Sequence, residues 1–148
     1  MCMDKSITGS GALFYSLTTK RFLLLHRTQE NKQCWGLVGG KIEGNESPWQ
    51  GLQREISEEI GTCPDIIKSI PLETFISNDE KFHFYTYLCV IKEEFIPTLN
   101  DEHDGYAWVA YEQWPKPLHS GLLNTVRNKI GRTKLKTVLQ LIEEFIDI

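Results

Sequence analysis

The chain contains 148 residues, of which 41% are hydrophobic and 24% are charged, and its formal net charge is −4. These values are ordinary for a globular protein, and the length suits a single domain over residues 1–148. The acidic balance argues against a surface that binds nucleic acid stably, since such a surface would be basic. It does not argue against a phosphorylated substrate, because a divalent metal ion can supply positive charge locally.

The start of the sequence and the cysteines bear on the compartment. The first residues, MCMDKSITGS, contain no apolar signal core, and no apolar run approaches the length of a membrane span. Cys2, Cys34, Cys63 and Cys89 form neither a CxxC pair nor a zinc-binding spacing. We therefore expect free thiols and a cytoplasmic protein with no membrane partner.

Apolar and β-branched runs predict most of the strands. The predicted strands are Gly11–Ser16, Phe22–His26, Ile66–Ser77, Phe82–Lys92 and Tyr106–Ala110. The segment Phe82–Lys92 is aromatic and β-branched on both faces, which predicts a central position in a mixed sheet. Near the end of the chain, apolar spacing predicts a helix over His119–Ile130, a break at Gly131 and a last helix capped by Thr133. This order of elements predicts an α/β fold in which helices flank the sheet.

A helix with clear start and stop signals lies between the predicted strands. Ser47 is a candidate N-cap, and Pro48 suits the first helical position. Gln50 would complete a capping box with Ser47, and Gly61 would end the helix. These signals predict a helix over Pro48–Ile60.

Three glutamates of this helix gather on one face. Glu55, Glu58 and Glu59 lie at positions i, i+3 and i+4, where like charges cost a few tenths of a kcal/mol each. They also lie toward the helix C-terminus, where the macrodipole disfavours anions. A solvated acidic face is one interpretation; the other is a cation site, for which hard oxygen ligands favour Mg²⁺ or Mn²⁺.

The wider spacing favours the cation site. Gly40 is followed by five residues and Glu46, and then by seven residues and the run Arg54-Glu55-Ile56-x-Glu58-Glu59-x-Gly61. This pattern, over residues 40–62, resembles the Nudix box of the Nudix (MutT-like) hydrolases. Thr62 is the one departure, since the final position usually carries a large aliphatic side chain. The resemblance implies an α/β/α sandwich with a mixed sheet, and Mg²⁺-dependent cleavage of a nucleoside diphosphate derivative at its pyrophosphate linkage, with Mn²⁺ as a substitute.

The resemblance also implies roles for individual residues. The candidate metal ligands are the Gly39 carbonyl and the carboxylates of Glu55, Glu58, Glu59 and Glu102. Glu102 belongs to the acidic loop before the last strand, and either Glu55 or Glu102 would be the general base. Arg54 would orient a box glutamate through an ion pair.

Three further residues are candidate substrate contacts. Lys41 would contact a phosphate and Arg27 could point toward the phosphate site. His119 precedes a helix in the place where similar enzymes read a purine. For Arg27 and His119, a solvent-exposed side chain at the end of an element is the alternative.

The substrate is predicted by exclusion. The segment Ile76–Asp79 contains neither the proline typical of ADP-ribose hydrolases nor the tyrosine typical of dinucleoside polyphosphate hydrolases, and no coenzyme A signature is evident. A nucleoside or deoxynucleoside triphosphate is therefore the expected substrate. The alternatives are ADP-ribose, dinucleoside polyphosphates, RNA 5′ ends, or a catalytically silent nucleotide-binding module. A homodimer is possible by analogy with similar enzymes.

Overall fold

The computed structural model describes residues 7–28 and 33–146, which form a seven-stranded sheet and three helices. The strands are β1 (Ile7–Ser16), β2 (Arg21–Arg27), β3 (Trp35–Gly36), β4 (Val38–Lys41), β5 (Lys68–Ile76), β6 (Phe82–Ile91) and β7 (His103–Ala110). The helices are α1 (Pro48–Ile60), α2 (Ser120–Arg127) and α3 (Lys129–Phe145). None of the helices in this part of the chain is long and apolar enough to cross a membrane. Cys34, Cys63 and Cys89 are free thiols, whereas Cys2 lies outside the described residues.

Strand β1 organises the sheet. It pairs in parallel with β6 from Ile7–Phe82 to Ser16–Ile91, and it pairs antiparallel with β2 and β4. Strand β5 is antiparallel to β6, and β7 and β3 are both antiparallel to β2. The sheet is therefore mixed and β6 lies inside it, as the two-faced apolar pattern of β6 predicted.

The helices lie on opposite faces of the sheet. Successive side chains of a strand point to opposite faces, and the core divides accordingly. Leu13 of β1 belongs to a cluster that includes residues of α2 and α3, whereas its neighbour Phe14 belongs to a cluster that includes residues of α1. Burial of both strand faces thus requires a helical layer on each side. The predicted α/β/α arrangement is confirmed.

The predicted bounds of α1 are also confirmed. Oγ of Ser47 accepts the Gln50 N–H at 3.1 Å, and Oε1 of Gln50 accepts the Ser47 N–H at 3.0 Å. Gly61 adopts a left-handed conformation with φ of 78°, which strains other residues, and its N–H donates to the Ser57 carbonyl. These caps orient the helix so that Leu52, Ile56 and Ile60 are buried and the glutamates face β4 or solvent.

The predicted boundary between the last two helices is wrong. The sequence pattern placed a break at Gly131 and a cap at Thr133. Instead, α2 ends at Arg127, and α3 begins at Lys129 after an Asn128 side chain that accepts two N–H groups of the first turn. Asn128 is a favourable cap that the apolar spacing did not reveal.

Gly131 lies inside α3 because of a close contact between helices. A Cβ at this position would lie 2.6 Å from the carbonyl oxygen of Thr125 in α2. The glycine therefore allows α3 to approach α2, and it does not interrupt the helix.

Candidate active site

Two glutamates of α1 contact adjacent glycines of β4. Oε1 of Glu59 accepts the N–H of Gly39 at 2.7 Å. The carboxylate of Glu55 lies against Gly40 so closely that a Cβ on residue 40 would overlap its Oε2. Glu55 and Glu59 are one helical turn apart, so α1 presents both carboxylates to the same short strand.

Glu59 is a buried carboxylate with little neutralising charge. Its side chain is 6% exposed, and Nδ1 of His103, at 4.0 Å from its Oε2, is too far away for a hydrogen bond. Burial raises the pKa of Glu59 to about 8, and the charges of Glu55 and Glu102 add to this effect. The Gly39 N–H and the charge of Arg27 oppose it. A cation near Glu59 would therefore stabilise the ionised carboxylate strongly.

Arg54 connects α1 to the loop that precedes it. Its Nε and Nη2 donate to the two carboxylate oxygens of Glu46 at 2.7 and 3.0 Å. Nη1 donates to Glu58 at 2.7 Å and to Glu55 at 3.2 Å, while Nη2 also donates to the carbonyl of Lys41 at 3.0 Å. These bonds lower the pKa of Glu46 and raise that of Arg54. Arg54 thereby fixes the orientation of Glu55.

A cavity of about 190 Å³ lies beside Gly39 and Gly40 of β4. Polar groups at the wall include Glu59, Arg27 and Lys41. The wall also has an apolar part that includes Phe82 and Phe84, whose rings stack with centroids 6.0 Å apart. The cavity thus combines a carboxylate, two cationic side chains and an aromatic surface.

The structure brings some of the predicted site residues to this cavity and leaves others outside its wall. The residues at the wall are Gly39, Glu59, Arg27, Lys41 and His119. Glu55 packs against Gly40 and contacts Arg54, and neither Glu55 nor Arg54 is among the residues that line the cavity. Glu58 pairs with Arg54, and more than half of its side chain is exposed.

Glu102 lies near Glu59 in an exposed turn. Its carbonyl accepts the N–H of Thr28 at 3.1 Å, which ties the turn to the end of β2. Its charge contributes to the raised pKa of Glu59, so the two carboxylates interact electrostatically. Asp104, in the first part of β7, bonds to Nδ1 of His26 at 2.6 Å.

His103 is a cavity residue that sequence reasoning missed. The apolar pattern predicted a strand from Tyr106, but β7 begins at His103, which pairs with Arg27 beside a β-bulge. The side chain is 4% exposed and its Nδ1 has no hydrogen-bond partner. Burial and the charge of Arg27 lower its pKa. No local signal marks this residue, because it lies in a polar run and only strand pairing brings it to the cavity.

His119 also lies at the cavity wall and not in open solvent. Its Nδ1 accepts the N–H of Gly121 at 3.2 Å and so caps α2. Burial and the charge of Arg27 lower its pKa. His119 and Arg27 are both partly buried at the cavity wall.

The donor set fits a hard divalent cation. The available groups are carboxylate oxygens, and the buried Glu59 lacks a compensating positive charge at hydrogen-bond distance. Within residues 7–28 and 33–146, no three His, Cys, Asp or Glu side chains are close enough to form a complete metal site.

Residues 8–128 match the family model of the NUDIX domain. The dihydroneopterin triphosphate diphosphatase of Haemophilus influenzae is 31% identical over 113 residues, which cover 66% of this chain and 70% of that protein. The nucleoside triphosphatase NudI of Salmonella arizonae is 33% identical over 91 residues, which cover 54% of this chain and 64% of that protein. A crystal structure of a MutT NUDIX hydrolase from Burkholderia pseudomallei superposes with a TM-score of 0.66 at 27% identity, over 90% of this chain and 98% of that one. This protein therefore belongs to the Nudix hydrolase family.

Proposed function

We propose that this protein is a pyrophosphohydrolase of nucleoside or deoxynucleoside triphosphates that uses Mg²⁺, with Mn²⁺ as a substitute. The observation that carries the proposal is the buried Glu59 carboxylate, with its pKa raised to about 8, at the wall of a cavity that also has an aromatic surface. A triphosphate with a bound metal ion suits the buried carboxylate, and the nucleobase of the same substrate suits the aromatic surface. The names of the Haemophilus and Salmonella relatives, which both specify triphosphates, support the same substrate class.

The proposed ligands are Glu59, Glu55 and Glu58, with the Gly39 carbonyl and Glu102 as additional oxygen donors. When bound, Mg²⁺ would polarise a phosphoryl oxygen, lower the pKa of an attacking water and neutralise the leaving phosphate. The Gly39 N–H donates to one oxygen of Glu59, and the other oxygen is available to the metal ion.

The remaining groups bind phosphate or move a proton. Arg27 and Lys41 at the cavity wall supply positive charge for the phosphates. The general base, Glu55 or Glu102, accepts the proton of the attacking water. We favour Glu55, because Arg54 fixes its orientation, and burial and the charge of Glu58 raise its pKa.

We also propose that the substrate is a free nucleotide in the cytoplasm. The net charge of −4 supports free nucleotide over stable nucleic-acid binding. A homodimer stays a proposal that light scattering in solution would test.

The test is product release over a substrate panel with Mg²⁺ and with Mn²⁺. The panel contains normal and oxidised nucleoside and deoxynucleoside triphosphates, ADP-ribose, dinucleoside polyphosphates and 5′-triphosphate RNA. We expect a triphosphate to be hydrolysed fastest and Glu59→Gln to abolish its turnover. The matched control is Glu144→Gln on the exposed face of α3, which should retain full activity.

Two outcomes would contradict the proposal. Faster turnover of ADP-ribose, a dinucleotide or RNA would overturn the substrate assignment, and turnover without a metal ion would overturn the assignment of a divalent metal cofactor. Nucleotide binding without turnover would indicate a silent module.

A further inference from the structure

His103 has a defined position where β7 begins. It pairs with Arg27 beside the bulge at the end of β2. The next residue, Asp104, bonds through its carboxylate to Nδ1 of His26 at 2.6 Å, on the other side of the same bulge. These contacts fix the start of β7 against the end of β2, and they place the His103 side chain at the cavity wall.

The imidazole of His103 has an unused nitrogen. The side chain is 4% exposed, and within residues 7–28 and 33–146 its Nδ1 is buried without a hydrogen-bond partner. Buried polar atoms in proteins nearly always have a partner, so an unpaired one indicates a group that is satisfied by a ligand, a water or an ion. A buried ring without a partner is also neutral, because burial disfavours the charged form. In the tautomer that carries its proton on Nε2, Nδ1 presents a lone pair.

This nitrogen lies beside the buried carboxylate of the site. Nδ1 of His103 is 4.0 Å from Oε2 of Glu59, while Oε1 of Glu59 accepts the N–H of Gly39. A separation of 4.0 Å is too long for a hydrogen bond between the two atoms. One metal ion with ligand distances of about 2.0 to 2.2 Å can contact both of them. Glu59 and His103 both line the cavity, so an ion can reach them from it.

We propose that Nδ1 of His103 is a nitrogen ligand for the metal ion at Glu59, and that it makes the site favour first-row transition ions such as Co²⁺ and Mn²⁺ over Mg²⁺. This inference rests on the proposed function, and it adds one nitrogen to the oxygen ligands proposed above. Imidazole binds transition ions, whereas Mg²⁺ takes oxygen ligands. His103 therefore distinguishes the two kinds of ion, because Mg²⁺ gains nothing from its nitrogen.

Electron spin echo spectroscopy of bound Mn²⁺ tests for the nitrogen directly, with the metal alone and without turnover. We expect a ¹⁴N coupling in the unmodified protein, and a ¹⁵N coupling in its place when only the histidines carry ¹⁵N. His103→Asn replaces the ring by an amide, through which Mn²⁺ should bind by oxygen and show no nitrogen coupling. The matched control is His83→Asn, at a histidine that bonds to the Glu80 carbonyl outside the cavity wall, and it should keep the coupling.

Metal affinity gives a second measurement. Equilibrium dialysis of His103→Ala should show Co²⁺ binding weakened by about tenfold or more, at least the loss that follows removal of a supporting group at a metal site. Mg²⁺ binding should be little changed. Thermal unfolding of each variant in EDTA checks that it folds. The labelling experiment uses the unmodified protein, so it tests for a histidine ligand even where a variant is unstable.

The outcomes separate this inference from the proposed function. Bound Mn²⁺ without a histidine coupling in the unmodified protein would overturn the inference, while metal-dependent hydrolysis of triphosphates would stand. A coupling that persists in His103→Asn would assign the nitrogen to another histidine and would also overturn it. Equal losses of Co²⁺ and Mg²⁺ affinity in His103→Ala would show that His103 supports the shape of the site and is not a ligand. Failure of every divalent ion to bind, with turnover in EDTA, would overturn the metal cofactor of the proposed function itself.

Discussion

Gly40 of β4 and Glu55 of α1 are in such close contact that a Cβ on residue 40 would overlap Oε2 of Glu55. The glycine at this position is therefore required by the side chain packed against it. The contact places a carboxylate against a strand that lines the cavity.

Gly40→Ala should displace the Glu55 carboxylate. We expect kcat/KM to fall by at least about tenfold, since a misplacement of about 1 Å in a catalytic group has large effects. Binding of Mn²⁺, measured by electron paramagnetic resonance, should weaken as well. The control is Gly105→Ala, whose Cβ would lie at an ordinary contact distance of 3.7 Å from the Cβ of His26. If Gly40→Ala is as active as Gly105→Ala, Glu55 has no role in the reaction that depends on this contact.

The buried Glu59 predicts how the stability of the metal-free protein changes with pH. Burial raises its pKa in the folded state to about 8, whereas an unfolded glutamate has its ordinary value near 4.5. The folded state therefore binds the proton of Glu59 more tightly than the unfolded state does. The stability that this tighter binding contributes is complete below the ordinary pKa. It is lost as the pH rises through about 8.

Glu59→Gln isolates this contribution, because glutamine cannot ionise. We expect the variant to gain stability relative to the unmodified protein as the pH rises, by up to a few kcal/mol above about pH 8. Urea unfolding of both proteins in EDTA, across this pH range, measures the difference. A difference independent of pH would contradict the raised pKa of Glu59.

Arg54→Lys tests whether ion pairing orients Glu55. A lysine keeps the charge but cannot make the bidentate contact with Glu46 while also bonding to Glu55 and Glu58. If Glu55 is the general base that we propose, we expect kcat to fall by about tenfold with a smaller change in KM, because Arg54 would orient the base and not bind substrate. Arg21→Lys, which alters an exposed pair with Glu94, is the control and should be fully active. An unchanged kcat in Arg54→Lys would show that charge alone suffices.

The two candidate bases should differ in their kinetic effects. Glu55→Gln should lower kcat by about 100-fold or more, within the range for loss of a general base. Glu102→Gln should have a smaller effect, because Glu102 lies in an exposed turn. Steady-state kinetics at saturating metal compares the two variants. A larger loss of kcat in Glu102→Gln would reverse the assignment.

Gly131→Ala changes two contributions to stability in opposite directions, the helix propensity of residue 131 and the packing of α3 against α2. Alanine is favoured over glycine in a helix by about 1 kcal/mol. However, its Cβ would lie 2.6 Å from the Thr125 carbonyl oxygen, which is backbone and cannot move aside cheaply. We expect net destabilisation of about 1 to 3 kcal/mol in urea unfolding. Gln140→Ala on an exposed part of α3 should change stability by less than about 0.5 kcal/mol. Stabilisation by Gly131→Ala would show that α3 shifts away from α2.

The sequence by itself determined helix α1, the central position of β6 and the α/β/α fold. The bounds of α1 follow from local interactions, since Ser47 and Gln50 bond to each other and Gly61 adopts a backbone conformation that other residues disfavour. The spacing of Glu55 and Glu59 likewise places them one turn apart on any helix. Local patterns of this kind need no knowledge of distant residues.

The tertiary structure decided which groups meet at the cavity. His103 reaches it through a strand pairing with Arg27, and His119 through bonds to Trp35, across separations that no local pattern records. The sequence pattern does not reveal the role of Gly131 for the same reason, because its partner is a carbonyl of another helix. The raised pKa of Glu59 is also a tertiary property, since it arises from burial by the packing of α1 against the sheet.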